Sequence, residues 1–366
     1  MTVPSTPVRV GVVGLGNIGR FHAERLRDGA GELVGGMDVD PDARASFADT
    51  YGANAYADAD ELFAVADAAV IATPNRHHEA DAIAALDRGL DVLLEKPLAH
   101  DLESAERIAA AAHDAEGFVM TGFANRFANP VSVLKTYQER GRFGETRHVE
   151  ANYVRRRGIP GRGSWFTTEA SSGGGSLIDI GIHAIDLALY FLDFPPVIEV
   201  SATTRSGFGA REDYAYLDMW GEDTGHEAFD VDDSVTAFVR CANGATVSLE
   251  AAWATNRPSD HRFLLRGTDA GACFDRSEGS LKLYESSKAG ADHLADTEVS
   301  TRANDSHAAE QAAFVRAAER GEAPELNTVE EGVVVQRVID AIYRSSAEGR
   351  AIRLDEPTPD ATAEVD

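Results

Sequence analysis

The stretch Val8-Arg9-Val10-Gly11-Val12-Val13-Gly14-Leu15-Gly16-Asn17-Ile18-Gly19 decides how this chain folds. Val8 to Val13 is an apolar run of strand length, and it passes directly into closely spaced glycines and an amphipathic segment ending at Arg27. The pattern predicts a strand, a tight turn and a helix. Gly14 suits the turn, Gly16 lets backbone N–H groups approach a pyrophosphate where Asn17 and Ile18 begin the helix, and Gly19 lets helix and strand pack closely. Asp38 stands 22 residues after Gly16, closing a second strand over Leu33 to Met37. A carboxylate there can accept both ribose hydroxyls and repels a 2′-phosphate, which favours NAD over NADP.

Outward from this turn, Ala68 to Ala72 and Asp91 to Leu94 read as further buried strands separated by Ala-rich helical stretches. Strands alternating with helices predict an α/β doubly wound parallel sheet over residues 8–125, preceded by a disordered start at 1–7. From about Arg147 the pattern changes. Alternating runs at Val197 to Thr204, Ser234 to Arg240, Ala245 to Ala252, His261 to Arg266 and Leu281 to Tyr284 follow one another without helices, which predicts a mostly antiparallel sheet. Helices over Ser306 to Arg320 and Val329 to Ser346 complete a second domain at 126–354, and 355–366 reads as an acidic tail.

Over 366 residues the chain is 43% apolar and 26% charged, enough for two or three globular domains. Its 61 acidic residues against 34 basic ones give a net charge of −27, which disfavours nucleic acid and membrane partners. No apolar run approaches the ~18–20 residues that span a bilayer, and Met1 to Arg9 lacks the pattern of a signal peptide. A soluble, cytoplasmic protein is expected. Cys241 and Cys273 allow at most one bridge, so packing rather than disulfides carries the fold. Only Lys96, Lys135, Lys282 and Lys288 are lysines. Carboxylates in excess with lysine nearly absent suit a salt-loaded cytoplasm of the haloarchaeal kind; an arginine-rich genome is the alternative.

Two motifs fall at carboxyl ends of predicted parallel strands, where such sheets bind ligands: Thr73-Pro74-Asn75, followed by His78, and Glu95-Lys96-Pro97. A cis bond before Pro97 would be one way to aim Lys96. A third cluster runs from Gly173-Gly174-Gly175 through Asp179, His183 and Asp186 into an apolar segment, which predicts a buried helix. On a regular α-helix these three polar residues stand at 0, 40 and −20 degrees, one stripe of ionisable groups whose burial demands pairing or chemistry. Asp186 fits a structural role better than a catalytic one. No metal is expected, since Asp179 and His183 could share a cation but no third strong ligand stands nearby. The loop from Arg155 to Ser176 carries Arg155, Arg156, Arg157, Arg162 and Trp165, arginine forks suited to sugar hydroxyls, carboxylates or phosphate and an indole suited to stack against sugar C–H bonds. His77, His148 and His226 receive no role.

Together these motifs, with Asn125-Arg126-Phe127, resemble the glucose-fructose oxidoreductase, inositol dehydrogenase and rhizopine-catabolism (Gfo/Idh/MocA) family, from Val8 to about Tyr284. The resemblance implies a Rossmann domain followed by an open sheet domain that covers nicotinamide and substrate. It also implies dimers or tetramers packed through that sheet. It matches Lys96, Asp179 and His183 to the family's catalytic trio, Asn75 and Glu95 to residues near the nicotinamide, and Arg126 to the substrate side. The family oxidises a secondary or anomeric hydroxyl of sugars, cyclitols or glycosides. In that reading His183 is the base, Asp179 orients the hydroxyl or the ring, and Lys96 stabilises the alkoxide. Rival readings are a redox-neutral glycoside hydrolase that retains NAD, and a sensor of the same fold that needs none of the three.

Overall fold

The computed structural model describes residues 7–29, 31–217 and 219–354, so most of the expected disordered start and the whole acidic tail lie outside the described residues. Six strands form the first sheet: β1 (Arg9–Val13), β2 (Glu32–Met37), β3 (Asn54–Tyr56), β4 (Ala68–Ile71), β5 (Asp91–Glu95) and β6 (Val119–Gly122). All pairings are parallel, in the order β3-β2-β1-β4-β5-β6. This is the doubly wound Rossmann arrangement. Helices α1 (Asn17–Asp28), α2 (Pro41–Tyr51), α3 (Ala59–Phe63), α4 (His78–Leu86) and α5 (Leu102–Asp114) connect the strands. Alternate strand residues feed two apolar layers, with Val10, Val12, Val70 and Leu93 in one and Val13, Ile71, Val92 and Leu94 in the other. A parallel sheet buried on both faces needs such continuous apolar strands.

After β6 the chain forms α6 (Asn129–Glu139), β7 (Thr146–Val154), the short α7 (Glu169–Ser172), α8 (Ile182–Phe191), β8 (Val197–Arg205), β9 (Ser234–Cys241) and β10 (Thr246–Ala252). It continues with β11 (Arg262–Gly267), β12 (Ala270–Asp275), β13 (Ser280–Ser287) and β14 (His293–Val299). After α9 (Ser306–Arg320) and α10 (Val329–Glu348), β15 (Ile352–Arg353) completes a nine-stranded sheet in the order β14-β13-β12-β11-β7-β10-β9-β8-β15. Only β7 and β10 pair in parallel. Strand residues alternate between a buried apolar face, as at Val235, Ala237, Val239, Val247 and Leu249, and a more exposed polar one. Helix α8 lies against β7 and β10.

The compact units interleave along the chain: Met1–Asn129, Thr168–Gly174 and Arg302–Arg337 form one, and the rest form the other. The single division expected near residue 125 misses this. Phe314 and Val315 of α9 join the layer of Val10 and Val12, while Val329 and Val333 of α10 join that of Ile71 and Leu94. The Thr121 N–H also donates to the Asn327 carbonyl at 2.8 Å.

One stretch, Glu169–Phe191, is apolar and long enough to pass a test for a membrane span by length and composition, contrary to the expectation that none would. It is broken where Gly173 turns left-handed (φ 81°), and 89% of the tested window is buried, as in the core of a folded domain.

Candidate active site

In the first unit each glycine of the turn has its own reason. A Cβ on Gly14 (φ 88°) would meet the Ala72 carbonyl oxygen at 2.8 Å, and one on Gly19 would strike the Gly14 carbonyl oxygen at 1.8 Å. Gly16 differs, because a Cβ there would meet nothing within 4 Å. Residues 16–18 are exposed, and no side chain caps α1, so its first N–H groups face open space. An uncapped helix N-terminus beside an open glycine is a fit for a pyrophosphate. Asp38 closes this cradle: its carboxylate accepts from the Leu15 N–H at 2.7 Å and from the Asp40 N–H at 2.9 Å. These bonds hold the acid at the mouth of the turn, where ribose hydroxyls would lie.

At the end of β5, Glu95 accepts from His22 Nε2 at 2.7 Å through one oxygen, and from the Lys96 N–H at 3.1 Å through the other. Burial by itself raises the Glu95 carboxyl, but the His22 hydrogen bond and the charges of His22, Lys96 and His307 outweigh it and hold the group below its ordinary value. Asn75 is buried, with its amide on the Ser172 carbonyl at 2.7 Å. Thr73 donates its hydroxyl to Asp81 at 2.7 Å, and Pro74 is half-buried beside it. The Lys96–Pro97 peptide is cis.

His78 needs a correction. It is 1% exposed, and its two ring nitrogens lie 2.8 Å from the Pro97 carbonyl and 2.9 Å from the Thr73 carbonyl. It therefore ties two strand-end loops together and has no face left for a cofactor. Arg126 is corrected likewise: its side chain is fully buried, its Nη1 lies 2.6 Å from Glu331, and it cannot fork around a substrate.

In the second unit Asp179 falls in a π turn and His183 and Asp186 on α8, where one regular buried helix was expected. Leu177–Gly181 forms a π turn, with the Ile182 N–H donating to the Leu177 carbonyl five residues back, so regular-helix angles do not hold between Asp179 and His183. Single π turns gather at functional sites. Gly175 starts this segment because a Cβ would meet the Asp232 carbonyl oxygen at 1.9 Å. The Asp232 carboxylate then accepts from the Gly175 N–H, the Leu177 N–H, the Ser176 hydroxyl and the Tyr343 hydroxyl at 2.7–2.9 Å. Asp179 accepts from Trp253 Nε1 at 2.9 Å, His183 lies with its ring 6.4 Å from that of Tyr153, and Asp186 is fully buried.

Trp165 is half-exposed and free to stack. Among the described residues Arg155 contacts neutral groups: the Gly158 carbonyl, the Met219 sulfur and the Tyr153 hydroxyl. Arg157 is corrected, since its guanidinium is spent on the Arg156 and Thr255 carbonyls and on Asn256. Arg162 is buried in an ion pair with Asp223. The sequence reading missed His22, Gln311, Tyr153, Asp232 and Trp253; all but Tyr153, which also meets Arg155 two residues on, have partners far away along the chain. A histidine on the buried side of α1 was the only local signal among them.

The profile described as "Oxidoreductase family, NAD-binding Rossmann fold" (GFO/IDH/MocA) matches residues 8–123, and that of the GFO/IDH/MocA C-terminal domain matches residues 131–273. A provisionally named UDP-kanosamine synthase oxidoreductase subunit of Amycolatopsis mediterranei (strain S699) is 36% identical over 258 residues, 69% of this chain and 70% of that protein. The D-glucoside 3-dehydrogenase of Escherichia coli (strain K12) is 28% identical over 359 residues, 96% of this chain and 98% of that protein. The structure of a levoglucosan dehydrogenase in complex with NADH superposes with a TM-score of 0.82 at 23% identity, covering 96% of this chain and all of that one.

Proposed function

This chain belongs to the GFO/IDH/MocA oxidoreductase family, and from that premise we propose that it is an NAD-dependent dehydrogenase acting on a CH–OH group of a sugar, cyclitol or glycoside. The observation that carries this reading is Lys96 at the carboxyl end of β5, in the same sheet whose β1 ends in the open glycine cradle. Gly14, Gly16, Asn17, Ile18 and Gly19 would hold the pyrophosphate and Asp38 the ribose hydroxyls, with Thr73, Pro74, Asn75 and Glu95 toward the nicotinamide. NAD, when bound, supplies the hydride acceptor.

The chain's own residues manage the proton and the charge. His183 takes the hydroxyl proton on its imidazole. Asp179, fixed by the Trp253 indole N–H, orients the reacting hydroxyl. The Lys96 ammonium stabilises the oxygen as negative charge builds on it. Trp165 offers a ring to the C–H face of the substrate.

A spectrophotometric screen at 340 nm of sugars, polyols and glycosides with NAD and NADP tests the assignment. Reduction of NAD by at least one of them is expected, and no reduction by any refutes it. The acid excess is assigned to concentrated salt, where screening over about 3 Å at 1 M relieves self-repulsion, and the second sheet to pairing of identical chains in the cytoplasm. Sedimentation in dilute and in molar KCl reads both: a folded oligomer in molar salt is expected, and a salt-indifferent monomer contradicts both.

A further inference from the structure

Most arginines in this acidic chain meet a carboxylate, as Arg142 meets Glu285 and Arg262 meets Asp260. Arg155, Arg156 and Arg157 are an exception. Among the described residues their guanidinium groups meet no carboxylate: Arg155 and Arg157 contact only neutral atoms, and the hydrogen bonds of Arg156 run through its backbone, its N–H donating to Ser259 Oγ at 3.2 Å and its carbonyl accepting from Arg157 and the Thr255 N–H. The three arginines and Ser259 line a cavity of about 530 Å³, within the range of small-molecule sites. In a chain of net charge −27, three adjacent cations that meet no acid among the described residues are a local reversal of sign.

The cavity adjoins the base assigned above. The Arg155 guanidinium lies 5.4 Å from the Tyr153 ring centre, and the same ring is 6.4 Å from that of His183, so one aromatic ring separates the two. Arg276 and His261 sit on that ring as well, at 4.7 and 4.9 Å. Burial first, then the charges of Arg276 and Arg155, push the His261 ring below its ordinary value against the opposing charges of Asp275 and Asp260.

Resting on the dehydrogenase reading, we propose that Arg155 and Arg156 bind an anionic substituent, a phosphate or a carboxylate, carried by the polyhydroxy substrate. Arg157, pinned to Thr255 and Asn256, holds the shape of the cavity, and the Ser259 hydroxyl adds a neutral donor. Guanidinium forks match both oxyanions, and their bonds are strongest where no protein acid competes. The neutral end of the substrate then lies toward His183.

The test has two arms. Initial rates of NAD reduction are compared for glucose, glucose 6-phosphate and glucuronate, which separates phosphate from carboxylate. A charged congener is expected to exceed glucose at least tenfold in kcat/KM, mainly through KM. Arg156→Gln should cut that ratio about tenfold and Arg156→Lys less, and the ratio should shrink between 0.1 and 1 M KCl as the Debye length falls from about 10 to 3 Å. Equal use of neutral and charged congeners by the unaltered enzyme, or a preference that survives Arg156→Gln, overturns the proposal. In the second arm, inorganic phosphate is titrated calorimetrically into the NAD-loaded enzyme and its Arg156→Gln variant. Binding lost in the variant while no hexose is oxidised supports the subsite and places the fault with the dehydrogenase reading. Oxidation of glucose with no phosphate binding, or no signal in either arm, overturns the subsite.

Discussion

His22 Nε2 stands 2.7 Å from Glu95 Oε1, and the other ring nitrogen of His22 faces the Gln311 amide nitrogen. That nitrogen also donates to the His22 carbonyl at 3.2 Å, which fixes the amide's orientation. In the neutral imidazole Gln311 then donates to Nδ1 and the ring proton sits on Nε2, facing Glu95; in the charged ring Nε2 keeps the same proton. Helices α9 and α1 thereby secure a carboxylate whose second oxygen receives the Lys96 N–H.

Removing His22 should therefore cost both stability and turnover. His22→Ala leaves a largely buried carboxylate without its donor, a loss on the order of 1–3 kcal/mol. Thermal denaturation should show it, and kcat should fall more than the affinity for NAD as Lys96 loses its alignment. An unchanged melting temperature with unchanged kcat would show that the Glu95 contact is idle.

The low-lying Glu95 carboxyl sets a sign for acid stability. Its folded value is below its ordinary one, so it contributes stability that is fully present above the ordinary carboxyl range near 4.5 and is lost as pH falls through the folded value. Melting temperature measured between pH 3 and 7 should fall on the acid side for the native chain and less steeply for Glu95→Gln. Parallel curves would assign the acid loss to other carboxylates.

Asp38 bears on cofactor choice, because its carboxylate is already aimed by the Leu15 and Asp40 N–H groups. Asp38→Ser should raise KM for NAD and narrow the preference over NADP, read from kcat/KM with each nucleotide. Equal efficiency with both in the unaltered enzyme would remove the assignment.

Asp232 accepts four hydrogen bonds at the start of the segment that carries Asp179 and His183. Its replacement by Ala should cost about 0.5–2 kcal/mol, as for loss of a helix cap. Turnover should fall through displaced side chains, with Tyr343→Phe a milder version of both effects. A full loss of turnover at native stability would instead make Asp232 a participant in the reaction.

What could be read from the sequence was what is local. An apolar run, closely spaced glycines and an amphipathic segment follow one another directly, so strand, turn and helix were legible from twelve residues. Asn54–Tyr56, three residues long, and Val119–Gly122, ending in glycine, gave too little pattern to be read as strands, and the exposed, acidic β14 lacked an apolar alternation. The site residues that were missed or misread depend on partners remote in sequence: His22 on Glu95 73 residues on, Gly175 on Asp232 57 residues on, Arg126 on Glu331 205 residues on. Arg126 was placed on the substrate side by resemblance, and nothing in its neighbourhood of the sequence shows the acid that holds it. The π turn was hidden for another reason, since an apolar run does not disclose whether its hydrogen bonds step back four residues or five.

The central claim is that Lys96 supplies the charge for alcohol oxidation on an NAD-binding sheet, and the turnover of Lys96→Ala measured beside its affinity for NAD tests it most directly. The account predicts kcat lower by about 10²–10³, the scale of losing one preorganised donor to a developing oxyanion, with NAD binding and melting temperature near those of the unaltered enzyme. Turnover within a factor of about two of the unaltered enzyme, with NAD bound as before, would contradict it.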